Sequence, residues 1–353
     1  MSNRSTGADR MIGGVSSEHP LAPGTWTGIG SLPHRDRDAA VAFALSATPD
    51  LPAVPTLPVA DPREGMLAQA AWGIEGVSVA ADGRLEVNPA ALDPEAPLGD
   101  PALEGPPFAT LRSFLAAVAG RTGPIKVQIA GPVTLGLALR AQGAPDGVAF
   151  RTAAGAVRAR AGQMVAAVRA AAPDAALVAV LDEPGLVAAT PGRSGLGPLG
   201  AEDVIDLMSS GLAAFEPYAM TGVHCCGPTD WRLVIQAGPK LLSLPVDVPV
   251  DAAEGALTAF VERGGWIAWG AVPTDRPLGE SASRLWRVLS SRWCGLVQSG
   301  CDPWLLRRQA VVTPACGLAS HSEAQAERVL GLAREVADRL HDQVVGIRLS
   351  VGA

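Results

Sequence analysis

The chain has 353 residues and a formal net charge of −7, with 48% hydrophobic and 18% charged residues. So core-rich a composition excludes wholesale disorder, and an acidic balance without any Lys/Arg cluster excludes general attraction to nucleic acid. One Tyr and six Phe leave no base-stacking platform, and no apolar run approaches the ~20 residues that cross a bilayer.

Residues 1–24 are polar and rich in Gly and Ser, with Arg4 and Arg10 but no apolar stretch of the kind a leader carries, and they read as a flexible arm. From there to residue 353 a single domain is expected. Short apolar runs at 25–29, 52–56, 125–130, 176–181, 219–224, 240–244, 265–270 and 309–313 read as strands. Helical patterns at 36–47, 107–120, 146–172, 202–216, 251–263, 278–291 and 323–342 alternate with them. The last carries Ala326, Val329, Leu330, Leu332, Ala333, Val336 and Leu340 as one apolar stripe. Asp82-Gly83 between 77–80 and 85–87 signals a small hairpin, and the Pro-, Ala- and Gly-rich stretch 88–107 a surface loop. Eight buried-type strands separated by helices specify an α/β fold of the (β/α)8 TIM-barrel type. The rival, an open doubly wound sheet, places a Gly-rich phosphate loop after its first strand. Gly28-Ile29-Gly30-Ser31-Leu32-Pro33 does not fit G-x-G-x-x-G.

In such a barrel the chemistry sits at the C-terminal ends of the strands. The unusual polar residues fall there: Ser31 and His34, Gly131 to Thr134, Asp182-Glu183, His224-Cys225-Cys226, Asp247, Thr274-Asp275, and Thr313 to Gly317. His224 and Cys226 are two apart, so an extended strand end presents both to one side while Cys225 faces away. Cys316, distant in sequence, comes within reach only if the last strand closes beside the first. A nitrogen and two sulfurs suit zinc, and three protein ligands with a fourth position open is a catalytic arrangement. The competing explanation is that these are buried packing residues, as cysteines often are. With neither a leader-like stretch nor a span-length apolar run the chain is expected to be cytoplasmic, and five cysteines in such a chain are no disulfide framework; metal binding or chemistry suits those that cluster. Asp182 at a strand end can hold an amine or act as acid or base, whereas Glu183 suits the start of a helix. Cys294 and Cys301 read as core or surface thiols, and His19, His321 and His341 as solvated side chains.

Several segments carry a family resemblance: Ile29-Gly30-Ser31-Leu32-Pro33, Lys126-Val127-Gln128-Ile129-Ala130-Gly131-Pro132-Val133-Thr134, Leu181-Asp182-Glu183-Pro184, Val223-His224-Cys225-Cys226 and Thr313-Pro314-Ala315-Cys316-Gly317-Leu318-Ala319. In this order, and over residues 25–343, the chain resembles the C-terminal catalytic barrel of cobalamin-independent methionine synthase and its short single-barrel relatives. The resemblance implies a zinc-dependent methyltransferase acting on the homocysteine thiol, with a methylfolate or a methyl-corrinoid protein as donor. It implies His224, Cys226 and Cys316 as zinc ligands, Ser31 with the Ile29–Gly30 backbone on the substrate carboxylate, and Asp182 on its amino group. It places a further substrate-binding carboxylate after the second strand, where Glu64 is the candidate and a solvated turn the alternative. Two positions depart from the family. Pro245 stands where the family has a carboxylate zinc ligand, so Asp247 or a water would take that place. The loop 271–276 lacks the family's proton-transferring His, which leaves Asp275 as the stand-in. The family's large N-terminal domain has no counterpart in this sequence, which weakens the expectation of a folate donor. Two other readings remain: a metal-free uroporphyrinogen-decarboxylase-like enzyme, which would give the His-x-Cys…Cys set no task, and a degenerate zinc- or thiol-binding barrel without catalysis.

Overall fold

The computed structural model describes residues 20–189, 196, 199–277, 279 and 281–351. The arm expected over 1–24 lies outside the described residues as far as His19. Beyond it, Leu21 packs into the core with 8% exposure.

Seven strands form one parallel sheet. They are β1 (Thr25–Trp26), β4 (Ile125–Ala130), β5 (Leu177–Asp182), β6 (Ala219–His224), β7 (Leu241–Pro245), β8 (Trp266–Val272) and β9 (Ala310–Pro314), in the spatial order β1-β9-β8-β7-β6-β5-β4. The remaining two, β2 (Val77–Val79) and β3 (Leu85–Val87), make the expected small hairpin, with Val77 opposite Val87. The main strands are apolar on both faces because helices cover the outside and the sheet curls over the inside. Val178, Val180, Met220, Leu241, Trp266, Ala268 and Val311 form the inner cluster with Leu21 and Leu51. The alternate residues, such as Val127, Ala179, Val223, Leu242 and Trp269, face the helices in a larger outer cluster. Each fully buried Val or Leu contributes ~1.5–3 kcal/mol.

The outer layer comprises α1 (Arg37–Ala47), α2 (Met66–Ala71), α3 (Ala109–Ala117), α4 (Pro132–Ala141), α5 (Asp146–Ala171), α6 (Ala201–Ala213), α7 (Trp231–Gln236), α8 (Glu254–Glu262), α9 (Ala282–Gln298), α10 (Pro303–Arg308) and α11 (Glu323–Val351). None of the described helices is long and apolar enough to cross a membrane. The short helices α2, α4, α7 and α10 are additional to those expected from the sequence. In α4, Pro132 occupies the first helical position, where its missing N–H costs nothing.

Between the two edges of the sheet, β1 and β4, runs the segment 52–56. It makes single parallel bridges, Ser31 to Thr56 on one side and Ala53 to Lys126 on the other. Its backbone bonds are Leu32 N to Thr56 O (2.9 Å), Thr56 N to Gly30 O (3.2 Å), Val54 N to Lys126 O (2.9 Å) and Lys126 N to Pro52 O (3.0 Å). The expected first strand thus keeps its ladder only over Thr25–Trp26, and the expected second pairs only at isolated positions. Two inward side chains of β4 add to this sparse pairing. Lys126 Nζ donates to Ile29 O (2.7 Å) and Gln128 Nε2 to Val54 O (2.7 Å). Gly30 takes φ +149°, and a Cβ there would overlap the Gln128 amide, so the loop passes this point only as glycine.

Candidate metal centre

The ladder registers set the strand ends level. Ala130 lies beside Asp182, and Asp182 beside His224, so the polar ends of β4, β5 and β6 share one rim. His224 closes β6 on the face that carries Met220, pointing into the curl and 4% exposed. Cys225 faces the outer core with no exposure, and burial pushes its thiol up to about 12, which leaves it inert. Cys226 returns to the inner side in the turn after β6, half-buried. Cys316 follows β9 in a loop tied on both flanks, by Ala315 N to Val272 O (2.8 Å) and by Leu318 N to Ser31 O (2.9 Å). Next to it Gly317 leaves space that Ser31 Oγ occupies; any Cβ there would overlap that hydroxyl. The candidate carboxylate contact Ser31 therefore adjoins the Cys316 loop.

One ligand atom each from His224, Cys226 and Cys316 lies within 4.8 Å of the others, so the sequence-expected trio does converge. His224 Nδ1 is bonded to Ser243 Oγ (2.9 Å), a buried hydroxyl on the neighbouring strand. With Nδ1 committed, Nε2 is buried without a partner. A sealed imidazole nitrogen facing two thiols suits a cation, since a buried polar atom left unpaired costs ~1–3 kcal/mol. A hydrogen bond between the two free thiols holds Cys226 below the usual thiol value and pushes Cys316 up to about 12, while His224 draws Cys316 down. The set of one nitrogen and two sulfurs matches a soft or borderline divalent metal.

Asp182 lies at the same rim, with Oδ1 sealed from solvent and unpartnered. Burial raises its carboxyl and lowers the Lys126 ammonium, and each charge opposes the other's shift. Its neighbour Glu183 accepts from Val133 N (2.9 Å), Thr134 N (2.7 Å) and Thr134 Oγ1 (2.5 Å), holding the first turn of α4. Burial takes Glu183 up to about 7 against the pull of these bonds. Glu64 is 1% exposed and spends both oxygens on the chain itself: Leu57 N (2.8 Å), Thr110 N (3.1 Å) and Thr110 Oγ1 (2.7 Å). It anchors a loop and the start of α3, and neither oxygen is free for a ligand.

Asp247 stands apart from the trio. β7 ends at Pro245, and two residues on Asp247 is 48% exposed and paired with Arg276 (3.2 Å). Asp275 lies exposed in the loop after β8. Two polar residues near the site received no role from the sequence. Ser243 is the one polar side chain of an apolar strand, and Lys126 shares the inward face of β4 with Gln128; polar residues at such inward positions are the signal that marks them.

No protein-family profile matches the chain, and no curated protein sequence matches it. A solved structure does: a Listeria monocytogenes protein proposed to be a vitamin-B12 independent methionine synthase. It is 14% identical, with 87% of this chain and 86% of that one covered at a TM-score of 0.54. At that identity the likeness establishes a shared fold, in which a curled parallel sheet carries helices on its outside.

Proposed function

We propose that this chain is a zinc-dependent methyltransferase that passes a methyl group to the thiol of homocysteine or a similar small thiol. In this reading the sheet is a closed (β/α)8 barrel, with 52–56 as its second strand and the metal at the C-terminal mouth. The observation that carries the proposal is the convergence of His224, Cys226 and Cys316 within 4.8 Å, with His224 Nε2 buried and otherwise unpartnered.

Zinc held by these three residues would supply the Lewis acidity that keeps a thiol deprotonated at neutral pH, where a free thiol is only a few per cent ionised. The residues around it suit an amino acid bearing that thiol. Asp182 Oδ1 has no partner of its own and can accept from an ammonium. Ser31 presents its hydroxyl beside Gly317, where it can donate to a carboxylate. Ser243 orients His224 through Nδ1. Asp275, exposed in the loop after β8, is the candidate for moving the proton; a methylfolate and a methyl-corrinoid protein are both admissible donors. All five cysteines are free, which suits a reducing compartment such as the cytoplasm.

The test is the metal content of reduced protein by plasma mass spectrometry, with and without homocysteine, followed by turnover with each donor. About one zinc per chain, held more tightly with homocysteine, is expected for a three-ligand catalytic site. Protein that neither carries zinc nor takes it up would leave a metal-free, decarboxylase-like barrel. Zinc and thiol binding without turnover would leave a non-catalytic binding barrel.

A further inference from the structure

Lys126 is the second residue of β4, 4% exposed, and pairs in register with Val178 of β5. A cation at such a position loses its hydration, and an apolar residue of equal length would pack there at less cost. Its contacts indicate what it does. The ammonium donates to Ile29 O (2.7 Å) and to Gln128 Oε1 (3.1 Å). The charged group that acts on it is Asp182. The hydrogen bonds of Lys126 thus go to the Ile29 loop and to Gln128, and Asp182 Oδ1 is left unpartnered.

We infer that Lys126 is the positioning residue for recognition of an α-amino acid at this mouth, fixing the Gly28–Ser31 loop through its bond to Ile29 O. This rests on the proposed reading of Ser31 and Asp182 as the two ends of the amino-acid clamp. The loop is held from below by Lys126, from one side by Thr56 and from the other by Leu318. Ser31 follows Ile29 by two residues, so the bond that aims the Ile29 carbonyl inward also sets where the Ser31 hydroxyl meets a carboxylate. One buried side chain thereby sets the carboxylate contact.

The experiment compares zinc-loaded wild type and Lys126→Met by calorimetry against homocysteine and 1-propanethiol, which shares the thiol and chain but lacks the amino-acid group. Wild type should prefer homocysteine. Lys126→Met should weaken homocysteine about tenfold or more, the scale of one lost buried polar interaction, with 1-propanethiol binding and zinc content unchanged. If Lys126→Met does not fold, Lys126→Gln, which keeps a donor and removes the charge, serves in the same comparison. Equal losses for both thiols, or an undiminished preference for homocysteine, would overturn the inference and leave Lys126 a structural residue. Wild type that binds both thiols alike would overturn the amino-acid clamp itself, and the inference with it.

Discussion

At the scale of single residues, the metal trio and its surroundings differ in how openly the sequence shows them. His224 and Cys226 are legible because side chains two apart share a face on any extended strand. Cys316 needs the sheet to curl, which the alternation of strands and helices supplies. Ser243 was not legible, because a lone serine in a strand names no partner; only the register that sets it beside His224 does. Its 2.9 Å bond to Nδ1 leads to a prediction. Ser243→Ala should weaken zinc binding by ~10–100-fold, the usual cost of losing such a support, as read by competition with a chromophoric chelator. Unchanged affinity would show that His224 is held by packing alone. Asp247→Ala should leave zinc content and affinity as they are, because Asp247 faces solvent and Arg276. Loss of metal in that variant would restore it as the fourth ligand through a loop movement.

At the scale of elements, β4 and β6 are readable to the residue, since their apolar runs are bounded by turn-forming residues and helices on both sides. The start of α4 was not: Gly131-Pro132-Val133-Thr134 reads as a mouth loop, and what makes it a helix is Glu183, fifty residues on, accepting two of its first N–H groups. Glu64 does the same for Thr110 at α3. Both carboxylates serve helix starts from a distance, and no local pattern announces that. Glu64 also yields a pH prediction. Burial raises its folded-state pKa above the ordinary glutamate value of 4.5, with the Thr110 and Leu57 bonds opposing. The folded chain therefore keeps this proton to higher pH than the unfolded chain. The stability Glu64 contributes is fully present below pH 4.5 and declines as pH rises through the raised value. Glu64→Gln, which cannot titrate, should be less stable than wild type by ~1–3 kcal/mol at low pH, since one of the buried N–H donors loses its acceptor. That gap should narrow as pH rises, and urea unfolding between pH 4 and 8 measures it. A gap that stays constant, or widens with pH, would mean that Glu64 is already ionised in the fold.

At the scale of the whole molecule, the parallel order of strands followed from their alternation with helices, but the uneven strength of the sheet did not. From β4 round to β9 each neighbouring pair shares a ladder of three or more registered positions, interrupted only by a register shift between Gly270 and Val272 in β8. Between β1 and β4 the segment 52–56 makes only isolated bridges, supplemented by the side chains of Lys126 and Gln128. This quadrant should open first. Backbone amides of residues 30–56 should exchange through local openings of lower free energy than those of β5 to β8, since fewer ladder bonds must break together. Gln128 is the sharper probe, because its amide bonds both Val54 O and, through Oε1, Lys126 Nζ. Gln128→Leu keeps the volume but strands a buried carbonyl and an ammonium donor, each costing ~1–3 kcal/mol. Hydrogen exchange should then rise at residues 53–56 and in the Gly28–Leu32 loop while β6 to β8 stay protected. A uniform loss of protection over every strand would instead show that the molecule opens as one unit, with the two side chains adding to global stability rather than holding its weakest edge.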